Sequence, residues 1–128
     1  MEPTLEEKIK LLEIARASIN SVFTGQKVSV PDYKKYPILS SHSGAFVTLT
    51  EGNILRGCIG YIVSDQPLFD TVCEAAIQAS QHDPRFISVH QSEVEKISIE
   101  ISILSEPFLL NSYDEIIIGK HGLILEEK

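Results

Sequence analysis

The chain has 128 residues, 43% hydrophobic and 23% charged, which suits one globular domain able to bury a core without disulfide staples and excludes two full domains. Its 11 Lys and Arg stand against 18 Asp and Glu, a formal net charge of -7, and with no basic run to track phosphates nucleic acid is an improbable partner. Acidic residues punctuate the opening 30 positions and no 18 apolar residues run uninterrupted, so neither a signal peptide nor a membrane span is expected.

In chain order, Thr4-Leu5-Glu6-Glu7 has the form of a capping box and opens a predicted helix over about 5–23. Leu5, Ile9, Leu12, Ala15, Ile19 and Val22 recur at steps of three and four as its apolar stripe, and Gly25 supplies a stop. Residues 25–43 read as connecting chain. Ala45–Thr50 and Ile54–Val63 are strand-like runs around Glu51-Gly52-Asn53, a β-hairpin. Ser64 or Asp65 can cap a second helix over about 67–81, with Pro67 in its first turn, Leu68, Val72, Ala75, Ala76 and Ala79 facing inward, and Asp83-Pro84 ending it. Ile97, Ile99, Ile101 and Ile103 alternate with polar residues, the period of a strand with one buried face. A terminal hairpin is expected where Ile116–Ile118 and Leu123–Leu125 flank Gly119-Lys120-His121-Gly122.

The chemistry-bearing candidates cluster at Leu55-Arg56-Gly57-Cys58-Ile59-Gly60. With uninterrupted alternation, Leu55, Ile59, Tyr61 and Val63 face the core, while Arg56, Cys58 and Gly60 share the opposite side with Ile54 and Ile62. A guanidinium two residues from Cys58, roughly 6.6 Å along a strand, favours the thiolate, the form that attacks electrophiles. Gly57 and Gly60 either let a backbone or ligand approach closely or form a bulge that would reset these faces. The competing reading is that Cys58 fills core volume, as free cysteines often do; Cys73, beside Val72 and Ala76, reads as core. His82-Asp83-Pro84-Arg85-Phe86 offers groups that can hold an anionic or planar ligand, or a helix stop bonded to itself. His121 is a general-base or ligand-anchor candidate, or an ordinary exposed turn residue. The paired spacing of a metal site is missing among the cysteines and His42, His82, His90 and His121, and Glu93, Glu95 and Glu100 read as solvated.

Gly44-Ala45-Phe46-Val47-Thr48-Leu49, Leu55-Arg56-Gly57-Cys58-Ile59-Gly60, Asp83-Pro84-Arg85-Phe86 and Ile99-Glu100-Ile101-Ser102 together resemble the AMMECR family, named for the Alport syndrome, elliptocytosis and midface hypoplasia chromosomal region. The resemblance covers essentially the whole chain and treats residues 1–128 as one domain. It implies an α+β fold, an antiparallel sheet packed against helices, in a cytoplasmic protein. It also implies a three-part modification system with a Memo-type protein and a radical S-adenosylmethionine enzyme, and it assigns the reactive residue to Cys58. The family pattern continues past the Lys-His-Gly turn for about a further third, so the expectation is that the final strand leaves an exposed edge, that it pairs with a partner chain such as a second copy, or that the sequence is a truncated one.

The combined expectation is thiol chemistry on a small molecule or a protein-borne group. Cys58, Arg56 and His121 are its catalytic candidates and Gly57, Gly60, Asp83 and Arg85 its substrate-binding candidates, with no metal or cofactor. The alternatives are a non-catalytic adaptor that docks the same partners and, from a third class, a nucleic-acid-binding regulator.

Overall fold

The computed structural model describes residues 3–104 and the strand backbone of 122–126. The first helix, α1 (Leu5–Thr24), opens with the expected capping box: the Glu7 backbone N–H donates to Thr4 Oγ1 (3.1 Å) and the Thr4 N–H donates to Glu7 Oε1 (2.9 Å). It closes at Gly25, whose φ of 75° is the left-handed conformation that glycine adopts without steric penalty. Glu7 does more than cap. Its Oε2 accepts the Ile38 N–H at 2.8 Å, so this buried carboxylate ties the helix start to a 3-10 turn at Pro37–Ser40.

That inward-facing carboxylate corrects the expected stripe. The buried face of α1 is Glu7, Leu11, Ile14, Ala15, Ser18 and Ile19, whereas Leu5, Ile9 and Val22 are exposed. Leu and Ile are frequent enough around this helix to support more than one period-3.6 reading, and the turn that needs Glu7 selects the orientation.

β1 (Ala45–Glu51) and β2 (Ile54–Tyr61) form the expected hairpin around Gly52, which takes φ 62°. α2 (Leu68–Gln81) follows, then β3 (Ile97–Leu104) and β4 (Gly122–Glu126). The four strands are antiparallel in the order β2-β1-β3-β4, and both helices lie on one face of the sheet. Val47 opposes Ile101 and Leu49 opposes Ile99, all essentially fully buried beneath Leu11, Leu68, Val72 and Ala76. The fold class is α+β, as expected, because strands with one apolar face must be covered by helices with one apolar stripe.

Three further expectations meet corrections or limits here. The N-cap of α2 is Pro67, without a side-chain cap bond; Ser64 Oγ instead meets Thr71 Oγ1 at 2.7 Å and donates to the Gln66 carbonyl. Ile62 and Val63 lie beyond β2 and are exposed. The first arm of the terminal hairpin and His121 fall outside the described residues, while β4 is placed against β3.

The register of the hairpin matters most for the site. Leu49 pairs with Gly57 but Thr50 pairs with Leu55, so β2 carries one extra residue, Arg56, as a β-bulge. The uninterrupted alternation is thereby overturned. Gly57, Ile59 and Tyr61 oppose the buried Leu49, Val47 and Ala45 on the helix-covered face, and Leu55 shares the other face with Cys58 and Gly60. Gly57 is required there: a Cβ would stand 2.0 Å from the Ala79 carbonyl oxygen of α2. Gly57→Ala must therefore push helix from strand, and it is expected to lower unfolding stability by on the order of 2 kcal/mol or more, read by urea denaturation. Gly25→Ala, whose Cβ would meet nothing within 4 Å, should show only the smaller cost of a left-handed residue, of about 1 kcal/mol.

Candidate functional site

Close packing of α2 against Gly57 brings the end of that helix to the outer edge of β2. The chain leaves the helix at His82 and turns at Asp83-Pro84-Arg85, where proline stops further helix and Asp83 Oδ1 accepts the Arg85 N–H at 3.1 Å. Asp83 and Arg85 then act as a short surrogate strand. The Cys58 N–H donates to Asp83 Oδ2 (3.0 Å) and the Cys58 carbonyl accepts from Arg85 Nη2 (3.0 Å), which satisfies the two backbone groups that point away from β1.

The Asp83 side chain is 1% exposed and takes four hydrogen bonds: the Cys58 and Arg85 backbone N–H groups, Arg85 Nε (3.0 Å) and Arg85 Nη2 (2.7 Å). Arg85 foremost, and then these backbone donors, hold the carboxyl well below the usual carboxylate range, although burial opposes the shift. In return Asp83 pushes the Arg85 pKa up and locks the guanidinium over the Phe86 ring, 5.2 Å from its centroid.

Arg56 runs in the opposite direction. From the bulge it reaches the segment after α2, donating through Nε (3.0 Å) and Nη2 (3.2 Å) to the two oxygens of Glu93 and through Nη1 (3.2 Å) to the Ile87 carbonyl. The expectation that Arg56 sits beside Cys58 as its electrostatic activator is thus corrected, because the bulge sends its side chain to Glu93. Glu93, expected to be merely solvated, is the missed residue. Its carboxyl is held down by the His90 backbone N–H and by Arg56, and its signal in the sequence was the three-residue step from His90 that makes a cap. The cation bonded at Cys58 is Arg85, through the Cys58 backbone carbonyl.

Cys58 is half-buried on the sheet face opposite the helices, and its Sγ lies 3.2 Å from Thr48 Oγ1 on the neighbouring strand. Thr48 went unread in the sequence because cross-strand register, not chain distance, makes it a neighbour. Among the described residues, Thr48 is the only hydrogen-bond partner of Sγ; His82 is exposed at the end of α2. Gly60 lies on the same face as Cys58, where a Cβ would collide with Phe46 Cα at 2.5 Å. Cys73 is packed against the core, and burial pushes its thiol pKa up. Among the described residues no three His, Cys, Asp or Glu side chains converge to hold a metal, and no helix is long and apolar enough to cross a membrane.

This sheet, with both helices on one face and a clamped cysteine on the other, defines a small α+β domain built around the Leu55–Gly60 strand. The chain belongs to the AMMECR1 family, whose model matches residues 12–128. It is similar to a protein of Methanosarcina mazei, 38% identical over 124 residues covering 91% of this chain and 62% of the relative, and to one of Methanocaldococcus jannaschii, 37% identical over 131 residues covering 96% and 64%. A crystal structure of an uncharacterized protein from Pyrococcus horikoshii superposes with a TM-score of 0.74 at 34% identity, covering 86% of this chain and 57% of that one. The chain therefore spans about three-fifths of the length of the relatives it matches.

Two outcomes are expected of the clamp. Asp83 and Glu93 titrate below their ordinary values of 3.8 and 4.5 when folded, so their stabilisation is complete above about pH 4.5 and is lost as pH falls through the folded values. Asp83→Asn should lower Tm at pH 7 and flatten the acid limb of a Tm-against-pH curve; an unchanged limb would contradict the role given to Asp83. Arg56→Lys and Arg56→Met should lower Tm to similar extents, because an ammonium cannot reproduce the fork on Glu93. Full retention of stability by the Lys variant would mean that charge alone suffices.

Proposed function

We propose that this protein presents Cys58 as a reactive thiol to a small molecule or a protein-borne electrophile, as the small component of a modification system. The carrying observation is the placement of the sulfur: half-buried on the helix-free face, 3.2 Å from the Thr48 hydroxyl, on a backbone held from the edge by Asp83 and Arg85. A nucleophile gains from such fixing because the entropy of positioning is lost on folding rather than at reaction. In the step, a sulfur electron pair forms a bond to the electrophilic carbon, the bond to the leaving group breaks with its pair, and the thiol proton passes to a base. His121 is that base, as the proposed proton acceptor, and Gly60 remains a proposed substrate-side residue on the face it shares with Cys58, whereas Gly57, buried against Ala79, acts by positioning the strand. The Memo-type and radical S-adenosylmethionine partners rest on the family resemblance alone.

A second reading, the non-catalytic adaptor, is favoured by one specific observation. Arg56, Asp83 and Gly57 are consumed by Glu93, by Cys58 with Arg85, and by Ala79 respectively, so the hallmark residues also suit a rigid docking surface. Iodoacetamide labelling followed by peptide mass mapping separates the two. The reactive-thiol reading expects Cys58 to label at least about tenfold faster than Cys73, whose thiol is raised by burial. Equal and slow labelling of both in the folded protein favours the adaptor.

A further inference from the structure

The Arg85 guanidinium has five N–H donors, and the clamp uses three of them: Nε–H to Asp83, and the two Nη2 hydrogens to Asp83 and to the Cys58 carbonyl. Nη1 has no hydrogen-bond partner among the described residues, and the side chain is 58% exposed. Asp83, its counter-charge, is buried behind it at 1% exposure, so a solute approaching the edge of β2 meets the cation before the carboxylate. A second donor lies along the same edge. Gly60 opposes Phe46 as Cys58 opposes Thr48, two residues on in the ladder, so its N–H also points away from β1, and no described group accepts it. The nearest acidic side chain on this face by register is Glu100, which opposes Thr48 from β3 and is two strands from Cys58, on the side away from Arg85.

We infer that the β2 edge beside Cys58 is an anion-recognition site, in which Arg85 Nη1 and the Gly60 N–H hold a carboxylate or phosphate group of the molecule presented to the thiol. The inference rests on the reactive-thiol reading and narrows its substrate to an anion-bearing electrophile. Little reorganisation is needed, because Asp83 and Phe86 already fix the guanidinium plane and the strand already fixes the N–H. The overall charge of -7 makes the preference informative: the chain as a whole repels anions, so attraction at Cys58 must come from local groups.

The test compares two alkylating reagents of nearly the same size, anionic iodoacetate and neutral iodoacetamide. Each forms a sulfur–carbon bond with release of iodide. Rates at Cys58 are read by mass mapping and expressed as a ratio, normalised to the ratio for free cysteine in the same buffer. The expected ratio exceeds that of free cysteine by about threefold at low salt, the size of one screened charge contact. It should fall toward the free-cysteine value at about 0.5 M NaCl, where the Debye length is only a few ångströms. Arg85→Gln should abolish the preference and Arg85→Lys retain part of it.

A wild-type ratio at or below that of free cysteine, with brisk iodoacetamide labelling, overturns the anion site and leaves the reactive thiol standing. A raised ratio that is independent of salt, or that survives in folded Arg85→Gln, also overturns it. Should Arg85→Gln fail to fold, the salt series on the wild-type chain decides alone. Inertness of Cys58 to both reagents overturns the thiol reading and this inference together.

Discussion

A buried carboxylate organises the edge of this sheet. Asp83 is acidic, almost wholly removed from water and bonded four times, and its bonds fix three different parts of the molecule. The bond to the Cys58 N–H closes the strand edge, the bond to the Arg85 N–H shapes the turn after α2, and the two bonds to the guanidinium set the direction of the cation that donates to the Cys58 carbonyl. An isolated carboxylate in such a place would be neutralised or expelled; this one stays charged because its donors are supplied by strand, turn and side chain together.

The placement of Asp83 depends in turn on Gly57. A helix can approach a strand this closely only where the strand has no side chain, and the Ala79 carbonyl occupies the position a Cβ would take. With α2 held at that distance, its C-terminal end arrives at the β2 edge and the next residues clamp it. Arg56 completes the joint from the other side by reaching out of the bulge to Glu93 and Ile87. Two arginines thus cross the same seam in opposite directions, each satisfying one backbone carbonyl on the far side; Arg56 also pairs there with Glu93, while the carboxylate that holds Arg85 is Asp83 on its own side. The Leu55–Gly60 and Asp83–Phe86 motifs are the two halves of one joint.

What the joint leaves over is chemically informative. Among the described residues most of its polar groups are saturated, so the exceptions stand out: the Cys58 thiol with its Thr48 contact, the outer nitrogen of Arg85, and the outward N–H of Gly60. A purely structural seam has no need of a thiol at the strand residue whose carbonyl a partly unused guanidinium holds. The adaptor reading accounts for the saturated groups and the reactive-thiol reading accounts for the remainder.

Much of this was legible in the chain itself. The capping box at Thr4, the stop at Gly25, the alternation of Ile97 to Ile103 and the inner stripe of α2 are local signals, set by the backbone bonds and periods of single elements, and each element formed where its pattern indicated. The motif residues that matter, Cys58, Asp83 and Arg85, could be singled out by type and position. Their partners could not, because the decisive quantity was register. One extra residue in β2 turned Leu55 outward and sent Arg56 to Glu93, and strand order put Thr48 beside the sulfur. Likewise the orientation of α1 was settled by a bond between residues 31 apart, Glu7 to Ile38. Elements follow from bonds between near neighbours, which a sequence displays; the site follows from contacts across strands and between helix end and strand edge, which exist only once the chain has folded.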